Sequence, residues 1–226
     1  MESKKIYNLI ILDESGSMES IKNVIVSGLN EVIQNVKNSG KEFPNLDQFV
    51  TFISFNSVGV KKICDKSEIK KMSVIDEKNY SPNAATPLFD AMGNSITELK
   101  YFLQDKNNYN VLVTILTDGL ENASKEFSGS QIKKLIEELK ENNWTFTYIG
   151  TDHDVDKIAD SISINNKLVF NKTKRGVADM YLKESESRIR YMKRVSEDLD
   201  ESYDYFENKI GNDKNNSSEK KNNKQR

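Results

Sequence analysis

The sequence contains one cysteine, one histidine, one tryptophan and three prolines in 226 residues, and no long unbroken apolar run. A lone cysteine, Cys64, forbids an internal disulfide, so the fold cannot depend on an oxidising compartment. Cys64 reads as a small residue at a strand edge rather than a nucleophile. The sole histidine, His153 in Thr151-Asp152-His153-Asp154, has no second imidazole to share a zinc ion with and reads as a solvated loop residue. A strong charge of either sign is missing too. The 33 Lys and Arg residues against 35 Asp and Glu leave a formal net charge of −2, too small a field to attract nucleic acid or an anionic membrane. The apolar stretch behind Lys4-Lys5 is interrupted by Asn8 and stops at Asp13, too short for a signal-peptide core, and nothing approaches a membrane span. The expectation is a cytoplasmic protein with one globular domain and no nucleic-acid or membrane partner.

What is present is an alternation of strand-like and helix-like segments. Ile6 to Leu12 is an apolar run suited to a buried parallel strand, ending abruptly in Asp13-Glu14-Ser15-Gly16-Ser17. Ile21, Val24, Ile25, Gly28, Leu29, Val32, Ile33 and Val36 then recur at helical spacing. Phe49 to Phe55 predicts a second buried strand, and Val58 to Cys64 a more exposed one joined to it by a hairpin at Asn56-Ser57, hence antiparallel and at an edge. The pattern is weak from Asp65 to Ala85. Thr86-Pro87 predicts a helix start with Thr86 as N-cap, and Leu88, Met92, Ile96, Leu99 and Leu103 face inward. Asn110 to Thr117 predicts a strand ending in Asp118-Gly119, followed by a helix near 130–142, a strand at 144–149, a short helix through Ile158 and a last strand at 168–170. The architecture predicted is α/β: a mainly parallel sheet with one antiparallel edge strand, helices on both faces, and ligands bound beyond the carboxyl ends of the strands.

The remainder differs in character. From Thr173 to Ile210 there is no proline and no glycine after Gly176, and Met192, Val195, Leu199, Tyr203, Phe206 and Ile210 recur at helical spacing. This predicts a C-terminal amphipathic helix, or two, over 173–210. Residues 211–226 are polar and charged and predict a disordered tail, so the domain proper is expected over 1–172.

Three strand-to-helix junctions are expected on one edge of this sheet, and they bring Asp13, Ser15 and Ser17, then Thr86, then Asp118. All are hard oxygen donors, which favours Mg²⁺ or Mn²⁺ over zinc or copper. Two carboxylates formally neutralise a divalent cation, while neutral hydroxyls leave it able to accept another ligand. With no histidine or lysine placed as a general base, such a site suits adhesion better than turnover. The same hydroxyls could also serve merely as helix caps. Asp90 and Glu121-Asn122 lie close by in sequence, either supporting the site or doing ordinary work at a helix start and a polar loop.

Asp13-Glu14-Ser15-Gly16-Ser17, Thr86-Pro87-Leu88 and Thr117-Asp118-Gly119 together resemble the metal-ion-dependent adhesion site (MIDAS) of von Willebrand factor type A (vWA) domains, over roughly residues 4 to 171. The resemblance implies a Rossmann-like vWA fold with Mg²⁺ or Mn²⁺ at its top, held by Asp13, Ser15, Ser17, Thr86 and Asp118. It also implies a protein partner that offers an acidic residue to the metal, and no catalysis. The layout is similar to small bacterial intracellular members. Such members often place glycine before the threonine, where this chain has Ala84-Ala85, and Glu14, Glu19, Asp90 and Glu121 add negative charge near the site. Two other functions are compatible with the sequence: an assembly subunit that acts or self-associates through the C-terminal helix, and a Mg²⁺-dependent phosphoryl-transfer enzyme with Asp13 as nucleophile. The latter would want a second acidic residue where Ser15 stands.

Overall fold

The computed structural model describes residues 3–151, 154–199 and 204–206. The chain runs β1 (Lys4–Asp13), α1 (Lys22–Ser39), β2 (Leu46–Asn56), β3 (Gly59–Glu68), α2 (Leu88–Leu103), β4 (Tyr109–Leu116), α3 (Gly129–Lys140), β5 (Trp144–Thr151), α4 (Asp154–Ser161), β6 (Asn166–Phe170) and α5 (Lys174–Ser196). Six strands form one sheet in the order β3-β2-β1-β4-β5-β6. Only the β2–β3 pair is antiparallel, at the edge expected from the hairpin. The strand order reverses between β1 and β4, so the crevice beyond their carboxyl ends is the natural ligand position in such a sheet.

β1 lies at the centre because both of its faces are covered. Ile6, Ile10 and Leu12 join the core under α1 and α5, while Tyr7, Leu9 and Ile11 join the core under α2, α3 and α4. This two-sided burial is why the run reads as continuously apolar rather than alternating. Asn8, which breaks the run, points to the α5 face, where its Oδ1 accepts a hydrogen bond from Arg188 Nη1 at 2.5 Å. Arg188 also donates to Thr114 Oγ1 on β4 at 3.0 Å and pairs with Glu184 at 2.6 Å. A buried arginine needs such partners, and here they fasten α5 to the middle of the sheet.

Gly28 lets α5 approach α1. A Cβ built there would stand 1.9 Å from Tyr181 Cδ2, so the Tyr181 ring occupies the space a side chain would need.

α5 stops at Ser196, and of the span 173–210 expected to hold one helix or two, residues 200–203 and 207–210 lie outside the described residues. Leu199 N–H donates to Arg194 O at 3.0 Å and Asp198 N–H to Val195 O at 3.4 Å, with Asp198 in the left-handed region at φ 53°. This is a Schellman-type ending, and aspartate takes the place usually filled by glycine. Leu199 is consequently exposed, whereas Tyr205 and Phe206 are buried; Tyr205 OH is 3.2 Å from Glu184 Oε1. Met192 and Val195 are buried in the core beside α1, so this face of the helix docks on its own domain. The predicted tail over 211–226, and His153, lie outside the described residues. Cys64 is half-buried on β3, where burial pushes its thiol above the usual value, in keeping with an inert strand residue.

Candidate metal centre

Three loops at the β1/β4 crevice are laced together by main-chain hydrogen bonds. Gly16 N–H donates to Ala84 O at 3.1 Å and Asn83 N–H to Glu14 O at 2.9 Å, joining the loop after β1 to the loop before α2. Ala84 has φ 62°, the conformation glycine adopts most easily, so the chain keeps a glycine-like bend here with an alanine in it. Ser57 N–H donates to Ala85 O at 2.9 Å, and Ala85 N–H to Ser57 Oγ at 3.1 Å, which holds the bend against the β2–β3 hairpin.

The loop after β4 is fixed to α2 in a different way. Thr86 does not cap α2 with its side chain, as the sequence predicted; the cap position falls on Pro87, with no side-chain bond. The free amides at the helix start are instead satisfied from the β4 loop. Phe89 N–H donates to Glu121 Oε2 at 2.9 Å and Asp90 N–H to Ser124 Oγ at 3.1 Å. Thr86 N–H donates to Asn122 Oδ1 at 2.9 Å, and Asn122 N–H returns to Thr86 O at 3.2 Å. Asp90 answers by accepting the N–H groups of Lys125, Glu126 and Phe127 at 2.7–2.9 Å. Partial burial opposes ionisation of Asp90, yet these three donors outweigh it and hold the carboxyl below its usual value. Asp90, Glu121 and Asn122 therefore join the second and third loops to each other.

With the loops fixed, their side chains converge. Asp13 is fully buried at the end of β1. Its Oδ1 accepts from Ser15 N–H at 2.7 Å and its Oδ2 from Thr117 Oγ1 at 2.6 Å, while its carbonyl accepts from the buried Tyr80 hydroxyl at 2.6 Å. Ser15 Oγ lies 3.1 Å from Ser17 Oγ, and Ser17 Oγ donates to Asp118 Oδ1 at 2.5 Å. The point where a Cβ on Gly119 would sit is 3.4 Å from Thr86 Oγ1, 3.6 Å from Ser17 Oγ and 3.9 Å from Asp13 Oδ2. All five predicted residues thus lie around one small space, floored by a glycine.

The hydroxyls are not occupied with capping. Ser15 stands at the start of the short 3₁₀ turn Gly16–Ile21 without a side-chain cap bond, and Thr86 is buried with its hydroxyl toward the shared space. Among the described residues, no group of three or more His, Cys, Asp or Glu is gathered as a metal cage. A cation here would be held by two carboxylates and hydroxyls, which is oxygen chemistry suited to Mg²⁺ or Mn²⁺. Burial pushes the Asp13 carboxyl above its usual value despite the Thr117 and Ser15 hydrogen bonds, with the Asp118 charge adding to the rise. The buried Asp13 carboxylate, whose oxygens accept only from a neutral N–H and a hydroxyl, is thereby short of positive charge.

Glu14, like Asp90 and Glu121, is spent elsewhere. Glu14 accepts from Ser54 Oγ at 2.5 Å and Ser81 N–H at 2.5 Å, and pairs with Lys61 at 2.9 Å. Burial disfavours its charge, but these donors outweigh that and hold it below the usual value. Thr117, Tyr80 and Gly119 are the contributors that sequence reasoning left out. Thr117 and Gly119 flank Asp118 in the recognised motif; Tyr80 sits in the weakly patterned stretch, with nothing local to single it out.

The von Willebrand factor type A domain model matches residues 9–183. No curated protein matches the chain. Among solved structures, the pilus adhesin SpaC from Lactobacillus rhamnosus GG superposes with TM-score 0.62 at 13% identity, covering 84% of this chain and 30% of SpaC. A D319A mutant of the PilB minor pilin from Streptococcus sanguinis gives 0.61 at 12%, covering 85% of this chain and 63% of PilB. The vWF domain of the type V pili tip protein Mfa5 from Porphyromonas gingivalis gives 0.55 at 6%, covering 80% of this chain and 95% of that one. The chain thus spans under a third of SpaC and under two thirds of PilB, and at these identities the likeness concerns the fold. With the family model matching most of the chain and the fold in agreement, the chain belongs to the von Willebrand factor type A domain family.

Proposed function

We propose that this protein is a metal-dependent interaction module: Asp13, Ser15, Ser17, Thr86 and Asp118 hold Mg²⁺ or Mn²⁺, and a partner protein completes the coordination with an acidic side chain. The observation that carries this reading is the approach of Thr86 Oγ1, Ser17 Oγ and Asp13 Oδ2 to the space above Gly119, with Ser17 bonded to Asp118. Ser17 is exposed, so the space opens to solvent on that side. A cavity of about 130 Å³ lies beside it, bordered by Asp118, Leu120, Gly150, Thr151 and Val155, with room for a neighbouring partner side chain. Glu14 being neutralised by Lys61 removes one charge that would repel an acidic partner.

Phosphoryl transfer draws less support. Asp13 is enclosed and both its oxygens accept hydrogen bonds, an arrangement for holding rather than for attack. Assembly through α5 has lost most of its large apolar side chains to the chain's own core, leaving Leu182 and Ile189 as the large apolar residues it exposes. No helix among the described residues is long and apolar enough to cross a membrane. We propose a cytoplasmic location, which the lone cysteine suits. The test is affinity capture from an extract of the source organism, with Mg²⁺ or with chelator, using wild type and Asp118→Ala. A partner retained only by wild type with metal is expected. The same partner retained equally in chelator would overturn the reading.

A further inference from the structure

Lys172 lies in the short segment between β6 and α5, and its ammonium contacts Asp118 Oδ2. Asp118 is thereby engaged through both oxygens, Oδ1 by the Ser17 hydroxyl and Oδ2 by a cation from its own chain. The two partners differ in freedom. The Asp118 side chain is 0% exposed and its carbonyl accepts from Thr151 Oγ1 at 3.0 Å, whereas the Lys172 side chain is 32% exposed. The backbone next to Lys172 is held as well: Thr173 Oγ1 accepts from Gly176 N–H at 3.0 Å, and Thr173 N–H donates to Asn171 O at 2.7 Å. The carboxylate is fixed, and the ammonium sits on a flexible four-carbon arm rooted at a fixed point beside it.

We propose that Lys172 is a tethered counter-ion that regulates loading of the metal site. This rests on the metal reading above. In the unloaded protein the ammonium supplies part of the positive charge that buried Asp13 and Asp118 lack. A divalent cation at Asp118 repels the ammonium at that distance and takes over its role, so loading requires Lys172 to swing out into solvent. The chain thereby lowers its own affinity for free metal while avoiding an uncompensated carboxylate pair when none is bound. The roles of Lys172 and the metal are mutually exclusive at one oxygen, and that exclusion can be measured without any partner protein.

The experiment is Mn²⁺ titration by calorimetry on the full chain, comparing wild type, Lys172→Met and Lys172→Arg, with melting curves in chelator and in saturating Mn²⁺. Methionine keeps the length of the arm and removes its charge. A charge-assisted contact between a part-exposed ammonium and a buried carboxylate corresponds to roughly a tenfold change in equilibrium constant. Lys172→Met is therefore expected to bind Mn²⁺ about tenfold tighter than wild type and Lys172→Arg to remain close to wild type. In chelator the methionine variant is expected to melt below wild type, and in saturating Mn²⁺ the gap should close. Equal Mn²⁺ affinity in wild type and Lys172→Met, or weaker affinity in the variant, overturns the inference while leaving the metal site standing. Absence of Mn²⁺ binding by all three proteins overturns both.

Discussion

Gly28→Ala tests whether the C-terminal helix is part of the domain or an arm free to bind elsewhere. The built Cβ falls 1.9, 2.3 and 2.6 Å from Cδ2, Cε2 and Cγ of Tyr181, whereas carbon atoms rest comfortably at about 3.5–4.0 Å. The ring must therefore retreat by about 1.5 Å, and it cannot do so alone, because Tyr181 is buried among α1, α5 and the sheet. Overpacking of this kind costs about 1–3 kcal/mol, and an enclosed aromatic ring places the cost at the upper end. For a chain of this length that corresponds to a fall in Tm of about 5–10 °C by differential scanning calorimetry. Tyr181→Leu would remove the obstructing ring, so Gly28→Ala should cost much less in that background, a coupling a double-mutant cycle reads directly. A Tm within a degree of wild type for Gly28→Ala, or the same penalty in both backgrounds, would refute the docked helix and restore it as a candidate binding arm.

Gly119→Ala should separate folding from metal binding: its Cβ meets Thr86 Oγ1, Ser17 Oγ and Asp13 Oδ2 at ordinary contact distances of 3.4–3.9 Å. The apo Tm is expected to stay within a few degrees of wild type while Mn²⁺ affinity falls at least tenfold, because a methyl group fills the space the donors share; unchanged affinity would contradict the placement of the site. Asp90→Asn should flatten the acid dependence of stability. The folded pKa of Asp90 lies below its unfolded value, so its contribution is full above the usual carboxylate range near pH 4 and is lost as pH falls through the folded value. Wild-type Tm measured in chelator from pH 5 to pH 3 is expected to drop more steeply than that of the variant, and equal slopes would contradict the role assigned to the Asp90 clamp.

Much of this molecule is legible in its sequence because the informative residues carry local signals. β1 and β4 declare themselves as apolar runs stopped by aspartate, and the hairpin at Asn56-Ser57 announces the antiparallel edge. What escaped depends on partners distant in sequence. Tyr80 supports Asp13 across a stretch with no periodicity, and Lys172 is one lysine among many until β6 brings it to Asp118. Thr86-Pro87 looks like a helix start, and it is one, but the capping comes from Glu121 and Ser124 on another loop, which frees the threonine hydroxyl for the site. The end of α5 carries no local signal for a related reason: no glycine marks it, and the left-handed position is filled by Asp198.

Asp13, Ser15, Ser17, Thr86 and Asp118 are proposed to form one divalent-cation site. The most direct measurement is calorimetric titration of Mg²⁺ and Mn²⁺ into chelator-treated wild type and Asp13→Ala, with circular dichroism establishing that both are folded. Saturable binding of one ion by wild type and its loss in the variant is the predicted result. Equal binding by both proteins, or none by wild type, would contradict it.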